Sequence, residues 1–250
     1  MKTSLEIRIV AVPERKKGVE YLLDRLNGEA KVYWDISKMG CIANCLRTWG
    51  DPCKPETTHV AVLQDDVDVV DDFKNHVERI AQKFPDAIIA VIECEIKPDE
   101  AKEGTPYILM KNPNFRGCGI VMPKKYIEPF LEFYHCAIAG YPHDDSAIGI
   151  WAFLNDIPAL ATYPALGQHL GAHRSVISKV HNAHNEYSRI SKLWKGQKID
   201  VDWDTTDYAI SKAYTLICHL KKSHAVAKQV AIKKDQRKKG ISHVKLGGST

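Results

Sequence analysis

The chain has 250 residues, 44% of them hydrophobic, and a formal net charge of +4. This length can bury a full core, either as one large domain or as one domain with an appendage. No apolar run approaches the roughly 20 residues needed to span a bilayer. The charged first segment does not read as a signal peptide, and seven scattered cysteines, an odd number, indicate reduced thiols. We therefore expect a soluble, cytoplasmic protein that does not bind membranes.

Strand and helix patterns alternate along the chain. In order, we expect a strand at 6–12, a helix at 17–26, a strand at 30–34, a helix at 38–49, a strand at 60–63, a helix at 73–84 and a strand at 87–92, then a strand at 117–122, helices at 126–139 and 147–155, and a strand at 159–163. This order predicts an α/β protein with an open, mostly parallel sheet and helices on both faces.

An apolar run that stops at a cluster of carboxylates is the most informative segment. The strand predicted at 60–63 is followed at once by Asp65, Asp66 and Asp68. Ligands of open α/β sheets bind outside the carboxyl ends of the strands, and hard oxygen ligands suit Mg²⁺ or Mn²⁺ beside phosphates. The alternative is a solvated acidic loop that opens the next helix.

Two further polar positions follow later in the chain. Asp144 and Asp145 begin a predicted helix, and His169 lies beyond the last predicted strand. An Asp at a helix start is a good N-cap, and a carboxylate fixed there also suits a general base. For His169 the alternative is an ordinary loop histidine.

Three cysteines close together raise the question of a zinc site. Zinc could be bound by Cys41, Cys45 and Cys53, with His59 as the fourth ligand. However, the sequence has no CxxC pair at these positions, and Cys41 and Cys45 are one helical turn apart. We favour buried thiols, because free cysteine is commonly a small core residue.

The positive charge is concentrated at the C-terminus. Residues 211–250 contain ten Lys or Arg and one acid, Asp235, which gives +9 and leaves the first 210 residues at −5. Such a segment is typical of a polyanion-binding protein, with nucleic acid the leading candidate. A solubilising tail is the alternative. Lysines and apolar residues alternate at near-helical spacing over 212–234, which predicts a basic amphipathic helix docked on the domain.

Taken together, these motifs resemble nucleotide-sugar glycosyltransferases of the GT-A fold, in particular the small phage-type enzymes that glycosylate modified DNA bases. The resemblance follows the order PERKKGVEYLLDRL, GCIANCLRTW, HVAVLQDDV, RGCGIVMP and HDD, over roughly residues 5–178. It implies a GT-A core at 1–178 and a basic, mainly helical extension at 179–250. A phage-encoded enzyme would work in the host cytoplasm.

The resemblance also implies roles for the acidic strand end. The family's DxD motif falls on Gln64, Asp65 and Asp66, so the first acid is a glutamine here. By this resemblance Asp66 would be the strongest ligand of Mn²⁺ or Mg²⁺, with Asp68 and His169 as further ligands. Asp65 would contact the nucleotide ribose or act as a second carboxylate.

Donor contacts are implied at the ends of the first two strands. Pro13 and Arg15 correspond to the position that holds the nucleotide, where Arg15 would bind uracil or the diphosphate. Asp35 matches the second nucleotide contact, and Arg47 and Asn44 lie on the helix that follows it.

The implied reaction transfers a sugar from a UDP-sugar to a hydroxyl, in the phage case on a hydroxymethylated base of DNA. In an inverting enzyme Asp145, with Asp144 beside it, would be the general base; in a retaining enzyme one of them would bind sugar hydroxyls. Two other classes stay open: a nucleic-acid-binding protein of this fold that lost catalysis, which Gln64 favours, and a nucleotidyltransferase.

Overall fold

The computed structural model describes residues 3–102, 104–111, 113, 115, 118–170, 190–205, 207–211 and 224–239. The strands are β1 (Leu5–Ala11), β2 (Ala30–Trp34), β3 (His59–Gln64), β4 (Val67–Val69), β5 (Ile88–Ala90), β6 (Tyr107–Leu109), β7 (Gly119–Pro123), β8 (Ala159–Thr162), β9 (Gly167–His169) and β10 (Tyr208–Ile210). The α-helices are α1 (Lys16–Arg25), α2 (Cys41–Gly50), α3 (Phe73–Lys83), α4 (Ile127–Ala137), α5 (Asp144–Leu154) and α6 (His224–Lys238). In the part of the chain described, no helix is long and apolar enough to cross a membrane.

Eight strands form one sheet in the order β10-β6-β8-β5-β7-β3-β1-β2. Strands β1, β2, β3, β5 and β8 run in one direction, and β7, β6 and β10 run in the other. The predicted α/β class with an open, mostly parallel sheet is confirmed. The reversed direction of β7, which lies between β3 and β5, was not predicted.

Each face of the sheet carries its own core. Val60 and Val62 of β3 pack with α2, α4, α5 and α6, whereas Ala61 and Leu63 pack with α1 and α3. This alternation follows from the two-residue period of a strand. A central strand covered on both faces has no polar side, which explains the continuous apolar run before the carboxylates.

The described C-terminal residues join the same structure. Trp203 is fully buried, and its carbonyl accepts a hydrogen bond of 2.5 Å from the hydroxyl of Tyr107. Strand β10 extends the sheet beside β6, and α6 docks through buried Val226 and Val230. The predicted division between 178 and 179 falls in residues 171–189, outside the described residues, and it stays a prediction.

A side-chain clasp joins the chain on either side of residues 171–189. The Gln168 amide accepts from the Ser191 N–H at 2.8 Å and donates to the Ser191 carbonyl at 3.0 Å. The Ser191 hydroxyl donates to the carbonyl of Glu93 at 2.6 Å. The clasp fixes Ser191 beside β9 and the residues that follow β5.

Candidate functional site

The site is built at the edge where β1, β2 and β3 end. Asp65 and Asp66 follow β3 directly and are only 5% and 4% exposed. Helix α1 approaches their turn so closely that a Cβ on Gly18 would lie 2.6 Å from the Asp65 carbonyl oxygen. The close approach at Gly18 was not predicted from the sequence, although a glycine in the first turn of a helix that follows a strand is a signal for it.

The two carboxylates share one guanidinium. Arg15 Nη1 donates to Asp65 Oδ1 at 2.9 Å and also to Asp66 Oδ2. The Val12 N–H donates to Asp65 Oδ2 at 2.9 Å. His169 Nε2 lies 3.2 Å from Asp66 Oδ2, because antiparallel pairing of β4 with β9 sets Val67 opposite His169. The structure therefore brings together four residues predicted for the site: Arg15, Asp65, Asp66 and His169.

The electrostatics of the two acids differ. Burial raises the pKa of Asp65 above its ordinary value despite the opposing Val12 amide and the Arg15 charge. Burial also acts to raise the pKa of Asp66, but the His169 contact and the Arg15 charge outweigh it, so that pKa is lowered. Burial acts to lower the pKa of Arg15, and the charges of Asp66 and Asp65 raise it instead. The core of the cluster is thus an ion pair between Arg15 and Asp66.

These side chains do not fit a divalent cation while Arg15 stays between them. Across the described residues, no group of three or more His, Cys, Asp or Glu side chains could hold a metal ion. Asp66 Oδ1 is buried and has no hydrogen-bond partner among the described residues, but its other oxygen is occupied by Arg15. A metal would have to displace the guanidinium that already balances the carboxylates. We therefore derive no step through a metal.

Asp68, a predicted metal ligand, is engaged elsewhere. Its Oδ1 lies 3.4 Å from Arg25 Nε, and its Oδ2 accepts from Gln197 Nε2 at 2.9 Å. This geometry fastens the described segment after residue 190 to α1 and β4. It leaves Asp66 as the acid that faces the site.

Two predicted donor contacts use their polar groups within the protein. Asp35 is buried, and its carboxylate accepts from the N–H groups of Met39 at 2.8 Å and Gly40 at 2.9 Å, which shapes the loop into α2. Arg47 Nη2 donates to the Trp34 carbonyl at 2.8 Å. Arg47 Nη2 also donates to Asn44 Oδ1 at 2.6 Å, and its side chain is exposed. Both residues lie beside the site edge, and their contacts with a donor stay predictions.

Pro13 sets the direction of the backbone between β1 and α1. It begins the single helical turn Pro13–Arg15, for which its fixed φ is suited. The Arg15 N–H closes this turn on the Val12 carbonyl at 3.0 Å. The turn directs Arg15 to the carboxylates just before α1 begins.

The second acidic pair lies at the same edge of the sheet. Asn44 on α2 donates to the carbonyls of Tyr33 at 2.9 Å and Ala11 at 3.4 Å, which are the ends of β2 and β1. The next residue, Cys45, is hydrogen-bonded to Asp144 at the start of α5. The predicted catalytic acids thus open a helix that packs beside the ends of β1 and β2.

The two acids of α5 have different surroundings. Asp145 Oδ1 accepts the Ser146 N–H at 2.6 Å. Burial, together with the charge of Asp145, raises the pKa of Asp144 to about 7. A carboxyl group with a pKa near neutrality can exchange a proton during a reaction. Both side chains are half-buried. The sequence favours Asp145 as the base, whereas the raised pKa favours Asp144.

The described cysteines are free thiols. Of the three predicted to be buried, Cys45 is buried, whereas Cys41 and Cys53 are partly exposed. Cys41 and Cys45 lie with their sulfurs 3.9 Å apart, and Cys53 Sγ accepts from Arg8 Nη2 at 3.1 Å. Cys218 lies outside the described residues.

Part of the basic charge of α6 is neutralised within the protein. Asp156 pairs with Lys233 and, at 3.0 Å, with Arg237 Nη2. Asp156 comes just before β8, at the edge opposite the acidic cluster, because β8 runs in the direction of β3. A docked helix, α6, is present over the described residues His224–Lys238. The predicted residues 212–223 lie outside the described residues, and the extension at 179–250 as a whole stays a prediction.

No protein-family model matches the sequence, and no curated protein matches it. The solved structures to which it is similar include a glycosyltransferase involved in glycosylation of the major capsid of PBCV-1, at 13% identity over 73% of this chain and 97% of that one, with a TM-score of 0.35. A Drosophila β1,4-galactosyltransferase 7 mutant in complex with manganese, UDP-Gal and xylobiose is similar at 10% identity over 82% and 92%, with a TM-score of 0.40. The inositol-1-phosphate CTP transferase of T. maritima is similar at 13% identity over 78% and 79%, with a TM-score of 0.35.

Proposed function

We propose that the protein is a nucleotide-sugar glycosyltransferase that uses a UDP-sugar as donor and a hydroxyl group as acceptor. The observation that carries the proposal is that two acidic centres lie at one edge of an open α/β sheet. The Asp65–Asp66 pair holds Arg15, and Asp144 has a pKa of about 7. Ligands of such sheets bind at this edge.

The two centres have complementary roles in sugar transfer. Asp144, with Asp145 beside it, accepts the proton of the acceptor hydroxyl as its oxygen attacks the anomeric carbon. The bond from that carbon to the diphosphate breaks, and the diphosphate leaves with the electron pair. Arg15, next to the first turn of α1, stabilises the charge that develops on the leaving group. This assignment is for an inverting reaction; in a retaining one the α5 acids would bind sugar hydroxyls.

We propose a hydroxymethylated base in DNA as the acceptor. The support is the net charge of +9 over residues 211–250, which suits a phosphate backbone. A base inside a duplex cannot reach the anomeric carbon, so the enzyme would flip the nucleotide or act on single strands. Because Lys233 and Arg237 are bound to Asp156, the exposed Lys228 and half-buried Lys234 are better candidates for phosphate contacts.

Ligand-induced stabilisation tests the donor class. A ligand that binds only the native state raises its melting temperature, so we expect UDP and UDP-sugars to stabilise the protein. Asp66→Ala should reduce that shift, because Arg15 then loses one of its two carboxylate partners. Gln82→Ala, an exposed position on α3, is the matched control.

Catalysis is tested separately by mass spectrometry of DNA that contains hydroxymethylated bases. A mass increase of one sugar residue supports the proposal. Stabilisation by nucleoside triphosphates with release of pyrophosphate would instead identify a nucleotidyltransferase. DNA binding without nucleotide binding would identify the non-catalytic protein that Gln64 favours.

A further inference from the structure

Only part of the hydrogen-bonding capacity of the Arg15 guanidinium is used within the protein. Its Nη1 makes both bonds to Asp65 and Asp66. Nε is buried without a partner, and Nη2 makes no hydrogen bond within the described part of the chain. The unpaired N–H groups of Nε and Nη2 lie along one edge of a planar fork, which matches two oxygens of a phosphate.

We propose that Arg15, oriented by Asp65 and Asp66, is the cation that holds the donor diphosphate, in the place where a divalent metal would be expected. This inference rests on the proposed function. It implies that the protein binds the nucleotide without a metal ion. In it the two acids are positioning residues for Arg15, rather than metal ligands.

Three observations support this reading. The first acid of the DxD motif is Gln64, which removes one negative charge from a metal site. Asp65 and Asp66 already have a cation between them, so a metal must break two ion pairs before it binds. Arg15 immediately precedes α1, and the positive end of that helix, with exposed Lys16 and Lys17 in its first turn, adds to the attraction for an anion.

The placement of the carboxylates explains why Arg15 keeps its free edge. Asp65 is fixed by the Val12 N–H, and Asp66 by the contact with His169. Both acids accept hydrogen bonds from the same nitrogen, Nη1. The N–H groups of Nε and Nη2 are therefore not used by the two acids. An arginine held in this way is preorganised, which lowers the entropy lost on ligand binding.

Calorimetry of UDP binding to the full chain tests the inference, with GDP, CDP and ADP as a panel. We expect the wild-type protein to bind UDP, or another member of the panel, with the same affinity in EDTA and in Mn²⁺. Arg15→Gln should lose at least about tenfold in affinity in EDTA, since it removes hydrogen bonds between charged groups. Arg15→Lys keeps the charge but not the fork, so it should retain part of the affinity. Arg79→Gln, on exposed α3 surface, is the matched control.

Electron paramagnetic resonance of Mn²⁺ without nucleotide gives a second readout. The wild-type protein should leave Mn²⁺ free, whereas Arg15→Gln, which releases the two carboxylates, should bind it. A circular dichroism spectrum establishes that each variant is folded.

The outcomes separate the inference from the proposed function. Wild-type UDP binding that disappears in EDTA and returns with Mn²⁺ would overturn the inference and leave the proposed function intact. Equal nucleotide affinity of wild type and Arg15→Gln would also overturn it. If no nucleoside diphosphate binds with or without metal, the proposed function fails.

Discussion

At the scale of single residues, the protonation state of Asp144 controls the proposed sugar transfer. Its carboxyl group is raised to a pKa of about 7 by burial and by the charge of Asp145, while the hydrogen bond from Cys45 opposes the shift. A base must be deprotonated to work, so the transfer rate should rise with pH up to about this value and level off above it.

Asparagine variants separate the two acids of α5. Asp144→Asn should lower the transfer rate by about 10² to 10⁴ without loss of donor binding. Asp145→Asn removes a neighbouring charge, so it should move the acidic limb of the pH profile to lower pH. Steady-state rates across the pH range check both. If Asp145→Asn abolishes transfer and Asp144→Asn does not, the roles are reversed.

The Asp144 carboxyl group also makes the stability of the fold depend on pH. A carboxyl whose pKa is raised in the folded state penalises folding once the pH exceeds its unfolded value near 4, and the penalty is complete above about pH 7. Asp144→Asn should therefore raise the melting temperature above pH 7, with no such gain below pH 4. Calorimetric scans at the two extremes measure it, and equal gains at both would exclude the titration of Asp144 as the cause.

At the scale of elements, the approach of α1 to the turn after β3 depends on Gly18. Alanine is the better helix former by about 1 kcal/mol, yet its Cβ would lie 2.6 Å from the Asp65 carbonyl oxygen. We expect Gly18→Ala to lower the melting temperature and to weaken UDP binding, because α1 and Arg15 must shift. Gly50→Ala is the matched control, since its Cβ would make an ordinary 3.4 Å contact with Leu131.

The elements also show how far sequence reasoning reaches. The runs at 60–63 and 159–163 predicted strands β3 and β8 because a doubly covered strand is apolar throughout. Periodicity carries no strand direction, so the reversal of β7 could not be read from it. Strands β4 and β9, three residues each, are too short for a periodic signal, yet their pairing places His169 against Asp66.

Single-residue partners were harder to predict than elements. Asp65, Asp66 and His169 were chosen from their positions beyond strands, and the structure groups them. The pairing of Arg15 with both acids, and of Cys45 with Asp144, depends on how α1 and α5 pack. No spacing within the sequence contains that information.

At the scale of the whole molecule, the candidate site and the anchor of α6 lie at opposite edges of the sheet. The acidic cluster and α5 acids occupy one edge, and the Asp156 anchor of α6 occupies the other. DNA affinity should fall with salt, with a slope of about 0.9 per phosphate contact on a duplex. Replacing Lys228 and Lys234 by alanine should flatten this slope, whereas replacing Lys83, on α3, should not.

Fluorescence anisotropy at several salt concentrations measures the slopes. The two-lysine variant is cleaner than a deletion of residues 233–250, because that deletion would also remove the Lys233 and Arg237 anchor. If DNA binding by the wild-type protein does not depend on salt, DNA is not the acceptor, and the acceptor must be another hydroxyl compound.

The Gln168–Ser191 clasp makes the position of His169 depend on a later part of the chain. Gln168 precedes His169, whose ring nitrogen Nε2 lies 3.2 Å from Asp66 Oδ2, and the Gln168 amide makes two hydrogen bonds to the backbone of Ser191. Two such hydrogen bonds contribute about 1 to 3 kcal/mol, so Gln168→Ala should lower the melting temperature and, because His169 and Asp66 lose their fixed position, weaken UDP binding. A variant with unchanged melting temperature and UDP affinity would show that the site does not depend on this part of the chain.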